Sequence, residues 1–149
     1  MIRKYVIDAC ALIDAAKNYN MSKKTFSNIW ETLDKLVEEG RLISSAEILD
    51  ELKDDDIEKW GEQHKGAFLP LSKEIQEKAT AILKKYPNMI KIATKASSNG
   101  DPFLIATAIV EGGIVVTNEK KNENKIPYVC EKMNIEYIDL NGFLNEVLE

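Results

Sequence analysis

Histidine and cysteine are scarce: the chain of 149 residues has one histidine and two cysteines. The single imidazole, His64, argues against a histidine-rich zinc site and against a Ser-His-Asp triad. Cys10 and Cys130 are too few for a disulfide framework, and free thiols in a reducing cytoplasm are the simpler reading. No apolar run approaches the length that spans a bilayer. The first strand is expected to begin almost at Met1, which leaves no room for a signal peptide. Repeats, linkers and low-complexity stretches are missing too, so one domain, 1–149, is expected.

What is present describes an ordinary folded chain, 44% hydrophobic and 30% charged. The net charge of −5 is unevenly spread: residues 1–64 carry −5, residues 65–95 carry +5 and residues 96–149 carry −5. A basic middle between acidic ends fits a polyanion-binding face beside an acidic pocket; it also fits a solvated, lysine-rich helix.

Hydrophobic period and turn signals give the elements. An apolar strand over 3–8 stops at Asp8, and a short helix over 9–17 follows. Ser22 caps a helix over 23–39, with Phe26, Ile29, Trp30, Leu33, Leu36 and Val37 on one face and Gly40 beyond its end. A strand over 41–44 leads into a capping box, Ser44 with Glu47, and a helix running through Glu51-Leu52. The acidic run Asp54-Asp55-Asp56 reads as a solvated turn before a helix through Trp60. Phe68 to Leu71 contains Pro70 and is an edge strand at best. Ser72 caps a helix over 73–86, and 88–99 is irregular. Asp101-Pro102 opens a helix through Glu111 that is apolar nearly all round and should be buried. A β-branched strand over 114–117 stops at Asn118-Glu119. A short helix over 126–133, a strand over 135–139 and a helix capped by Asn141 complete the chain. Strands alternating with helices predict a three-layer α/β/α sandwich around a mainly parallel sheet of 4–5 strands.

Four acids stand where strands end or helices begin: Asp8, Glu51, Asp101 and Glu119. Ligands of open α/β sheets bind at the carboxyl ends of strands. If those ends lie together the four carboxylates converge, and like charges at close range call for a cation. Hard oxygen ligands suit Mg²⁺ or Mn²⁺, which can support an in-line phosphodiester displacement without a protein nucleophile. Each acid also has a plainer reading: Asp101 as an N-cap, Glu51 as a surface charge beside Asp50, Glu119 as a turn residue. Glu47, four residues before Glu51, competes for the second position.

The order Val-Ile-Asp8-x-x-x-Leu-Ile, Ile-Ser-x6-Glu51-Leu, Asp101-x3-Ile105-Ala-Thr-Ala108 and Val-Val-Thr117-Asn118-Glu119-Lys120 resembles PIN domains, metal-dependent nucleases that include the toxins of VapBC-type pairs. The likeness covers nearly the whole chain and is closest to a branch with an Asp-Pro-Phe-Leu-Ile-Ala signature. It implies an α/β/α fold, Mg²⁺ or Mn²⁺ held by Asp8, Glu51, Asp101 and Glu119, single-stranded RNA as substrate, an antitoxin protein as partner, and homodimers. The sequence departs from the pattern twice: Cys10 stands where Asn or Ser is usual, and Glu119 where Asp is usual. Two functions are expected on this basis: a cytoplasmic, metal-dependent endoribonuclease, or a PIN-fold module that binds RNA or a protein without cleaving. In the first, Lys73, Lys84 and Lys85 are candidate phosphate contacts and Trp60 or Tyr86 candidate stacking groups.

Overall fold

The computed structural model describes residues 2–89, 101–123 and 125–148. Five strands form one all-parallel sheet: β1 (Tyr5–Ile7), β2 (Leu42–Ser45), β3 (Phe68–Leu69), β4 (Ile114–Val116) and β5 (Tyr137–Ile138), in the order β3-β2-β1-β4-β5. β1 is central and buried on both faces, as its unbroken apolar run requires. Tyr5 pairs with Leu42 on one side and with Ile114 on the other.

The helices are α1 (Ala9–Asn18), α2 (Ser27–Glu38), α3 (Ala46–Leu49), α4 (Asp55–Gln63), α5 (Lys73–Lys85), α6 (Asp101–Glu111), α7 (Ile126–Lys132) and α8 (Leu140–Val147). The chain steps outward from β1 to β2 to β3, then crosses to β4 and β5. Right-handed crossovers therefore put α1 to α4 on one face of the sheet and α5 to α7 on the other. The packing agrees. Trp30 of α2 meets Trp60 of α4 edge to face, at 5.9 Å between ring centres, and α6 lies between α5 and α7 against β1, β2 and β4. The apolar surround of α6 explains its burial: Leu104, Ile105, Ala106 and Ala108 are all in the core. Gly112, at φ +69°, turns the chain out of α6, and a Cβ on Gly113 would come within 2.7 Å of Val6 Cγ2. That close approach is what lets α6 lead directly into β4.

Several local expectations are corrected. Ser22 does not cap a helix; its amide and hydroxyl both bond to Asn20 Oδ1, and a 3₁₀ turn at Lys24–Phe26 precedes α2. Ser44 does not form a capping box, because its hydroxyl donates to Ile7 O at 2.6 Å. Ser45 takes the N-cap position instead, and α3 is a single turn that ends at Leu49, before Glu51. Asn141 does not cap α8; Asp139 does, its Oδ1 accepting from Gly142 N at 2.8 Å. Ser72 caps α5 as expected, accepting from Ile75 N, and Asp54, Asp55 and Asp56 are exposed. The irregular stretch expected over 88–99 lies, from residue 90 onward, outside the described residues.

Candidate active site

The parallel sheet sends all of its carboxyl ends to one edge, and β1 and β4 deliver the first groups there. Asp8 follows β1 directly and is the N-cap of α1, with Oδ1 accepting from Ala9 N at 2.8 Å. Its Oδ2 accepts from Thr117 Oγ1 and from Cys10 Sγ, each at 3.0 Å. The side chain is 3% exposed. Burial pushes its carboxyl up from the usual range, against the pull of these three donors. Cys10, standing where Asn or Ser is expected, is a polar partner of Asp8. It donates to Asp8, and its sulfur accepts from Asn118 N at 3.4 Å, tying α1 to the strand-end loop of β4. Burial and the adjacent Asp8 push the Cys10 thiol well up, so it stays a protonated donor.

Asn118 extends the tie. Its Nδ2 donates to Asp14 Oδ2 at 2.7 Å and its Oδ1 accepts from Leu140 N at 2.8 Å, so one side chain joins α1 and α8 to β4. Glu119 is held by two amides: its own donates to Thr117 Oγ1, and Ile126 N donates to its Oε1 at 3.1 Å. That second bond closes the loop 119–126. It brings half-buried Lys125 close enough to pull the carboxyls of Asp8, Asp101 and Glu119 back down in part. Lys125 did not stand out in the sequence, where it is one of three lysines in a polar loop. The loop closure at Glu119 is the signal that singles it out.

The four acids feel one another. Asp101, 3% exposed at the start of α6, is pushed up to about 9 by burial and then by Glu119, Asp8 and Glu51. Glu51, just past α3, is pushed up to about 8 by burial and then by Asp8, Glu119, Glu47 and Asp50. Glu119 is raised by burial and by Asp8. Glu47 therefore lies within reach of Glu51 but is not among the acids that raise Asp101. Among the described residues no three of His, Cys, Asp and Glu are arranged as a metal cage. Asp8, Glu51, Asp101 and Glu119 are neighbours through their fields. As donors they fit a hard divalent ion, since all are oxygen ligands and their mutual repulsion is what such an ion would relieve.

The remaining candidates are dispersed. Lys73 opens α5 whereas Lys84 and Lys85 close it, about 17 Å away along the helix axis, so the three do not form one patch. Lys85 sits over the Tyr86 ring at 5.9 Å, and Tyr86 packs edge to face on Tyr128. Trp60 is not a stacking group: it is 5% exposed, packed on Trp30 and His64, with Nε1 donating to Asp34.

No curated protein matches this sequence. Solved structures share its fold. A chain of VapBC2 from Rickettsia felis, bound to a DNA fragment from their promoter, is 16% identical with a TM-score of 0.53, covering 91% of this chain and 97% of that one. PAE2754 from Pyrobaculum aerophilum is 15% identical with a TM-score of 0.55, covering 99% and 96%. FitAcB from Neisseria gonorrhoeae is 14% identical with a TM-score of 0.50, covering 91% and 97%. The five-stranded parallel sheet flanked by helices is thus PIN-like in architecture. At the level of sequence, with residues 5–148 matched, the chain belongs to the family described as "Domain of unknown function (DUF4411)".

Proposed function

We infer that the protein is a divalent-metal-dependent endoribonuclease that hydrolyses phosphodiester bonds of single-stranded RNA. The observation that carries this reading is the elevation of Asp101 and Glu51, to about 9 and about 8, by burial and, in both, by Asp8 and Glu119 across the strand ends. Buried carboxyls that raise one another's titration in this way are a mark of functional sites. Asp8, Glu51, Asp101 and Glu119 would hold Mg²⁺ or Mn²⁺, which when bound neutralises their repulsion and supplies an activated water. The chain's own part is orientation. Thr117, Cys10 and Ala9 N fix the Asp8 carboxylate, and Ile126 N fixes Glu119. Lys125 supplies a positive charge beside the acids, suited to a phosphate oxygen.

Two of the structural neighbours, VapBC2 and FitAcB, motivate a narrower reading in which the protein is the toxin of a toxin–antitoxin pair. On that reading it acts in the cytoplasm as a homodimer and is held inactive by an antitoxin protein encoded beside it. Consistent with this, no helix among the described residues is long and apolar enough to cross a membrane.

Incubating single-stranded RNA with the protein, with Mn²⁺ and with EDTA, tests the activity. Cleavage in Mn²⁺ that is lost in Asp8→Asn is the expected result. Cleavage that persists in Asp8→Asn removes Asp8 from the mechanism. A protein that binds RNA yet leaves it intact, with no heat of Mn²⁺ binding by calorimetry, is instead a PIN-fold binding module. The observation favouring that alternative is Glu119, whose Oε1 is already engaged by Ile126 N.

A further inference from the structure

The sheet register puts a serine level with the first of the acids. Val6 pairs with Ile43, and Ile7 with Val116. Continued past those pairs, the same register sets Asp8 between Ser45 and Thr117, and strand alternation turns all three side chains to one face. The Thr117 to Asp8 hydrogen bond confirms the alignment on one side. That face is the one covered by α6, because Val6, two residues before Asp8, meets Gly113 at the exit of α6. α6 runs antiparallel to the strands: Glu111 at its far end pairs with Lys4 ahead of β1, at 3.3 Å, so Asp101 stands over the carboxyl ends. Ser45 therefore faces the space shared by Asp8 and Asp101.

The Ser45 side chain is fully buried, and among the described residues its hydroxyl is the one buried side-chain polar group with no hydrogen-bond partner. It stands at the N-cap of α3, where a serine ordinarily accepts from an amide of the first turn, and it makes no such bond. A hydroxyl offers one donor and two acceptor sites. Leaving all of them unused in the interior is unfavourable, which points to a partner that enters from outside the chain.

Resting on the cation reading above, we propose that Ser45 belongs to the ion site, its hydroxyl hydrogen-bonding the hydration shell of the divalent cation that the four acids would hold. Mg²⁺ dehydrates reluctantly and keeps several waters. Those waters need partners on the protein. Ser45 supplies one from the side of β2, opposite Thr117.

Ser45→Ala tests this in the full chain, with Mn²⁺ as the probe. Two quantities are measured: the melting temperature in EDTA, and the Mn²⁺ dissociation constant by calorimetry. In EDTA the variant is expected to melt at or above wild type, because no protein bond is lost. Its Mn²⁺ dissociation constant is expected to rise about tenfold, the lower end of what losing an outer-shell partner does to a metal site. A variant that melts several degrees lower with an unchanged dissociation constant overturns the proposal, since its hydroxyl then serves the fold. Equal binding by wild type and variant overturns it as well while leaving the cation reading intact. A wild type that binds no Mn²⁺ overturns both.

Discussion

Asp101→Asn should make the metal-free protein more stable, by an amount that grows with pH. The Asp101 carboxyl moves from 3.8 to about 9 in the folded chain. A folded-state value above the unfolded one means that the folded chain binds the proton more tightly. Stability is therefore greatest at low pH and is lost as pH rises from about 4 toward about 9. Between pH 5 and pH 8 the ceiling on that loss is about 4 kcal/mol, three units at roughly 1.4 kcal/mol each. The side chain is 3% exposed, so solvent screening removes little. The shift is shared with Glu119, Asp8 and Glu51, however, and about half the ceiling, ~2 kcal/mol, is a fair expectation. Below about pH 9 the folded Asp101 carboxyl is itself mostly protonated, so across the pH 5–8 series the neutral amide gives up little charge–dipole stabilisation at the start of α6. For a chain of this size ~2 kcal/mol is about 4–8 °C in melting temperature. Thermal melts of wild type and variant in EDTA at pH 5, 6, 7 and 8 should thus diverge by that much across the series. Adding Mn²⁺ should flatten the wild-type profile and leave that of the variant nearly unmoved. Parallel pH profiles for the two proteins in EDTA would refute the reasoning, because they would mean that the acids do not strain the fold.

Other perturbations separate packing from polar function. Cys10→Ser keeps a donor toward Asp8 Oδ2 and should stay within about 1 kcal/mol of wild type by urea melt, whereas Cys10→Val removes the bonds to Asp8 and Asn118 and should lose ~2 kcal/mol. Gly113→Ala would place a Cβ 2.7 Å from Val6 Cγ2 and 3.4 Å from Lys4 O, and should lower stability by about 1–3 kcal/mol in the same melt.

Asp8 was legible in the sequence because an apolar run that breaks off at a single carboxylate marks the end of a buried strand, and β1 is indeed central. The apolar surround of α6 and the β-branched run of β4 carried the layer order in the same way: burial leaves a compositional trace. The caps were less legible. At Ser44-Ser45 and at Asp139 to Asn141 several suitable side chains stand close together, and the choice depends on a tertiary partner. Ser44 is taken by Ile7 O from the neighbouring strand, which leaves the cap position to Ser45. Trp60 misled for a related reason, as its burial is decided by Trp30 on another helix. The role of Cys10 could not be read from its type alone, since a thiol is ordinarily a weak donor; here Asp8 accepts from it while Asn118 N anchors its sulfur. The juxtaposition of Ser45 with the acids follows only from knowing which residues of β1 and β2 are level with each other.

The pairing of β1 with β4 also sets when the site can exist during synthesis. Tyr5 waits for Ile114, and Asp8 waits for Thr117, 109 residues later in the chain. At translation rates of about 5–20 residues per second, the first strand emerges several seconds before its central partner. Until then the carboxylate of Asp8 lacks Thr117, Asn118 cannot bridge α1 to β4, and the positions of Asp101 and Glu119 are undefined. Closing so long a loop late makes assembly slow, and the site stays incomplete until it closes. A chain cut short before residue 114 carries two of the four acids, or three at most, and none of the loop that orders them. On the proposed reading, incomplete copies on the ribosome lack the assembled site.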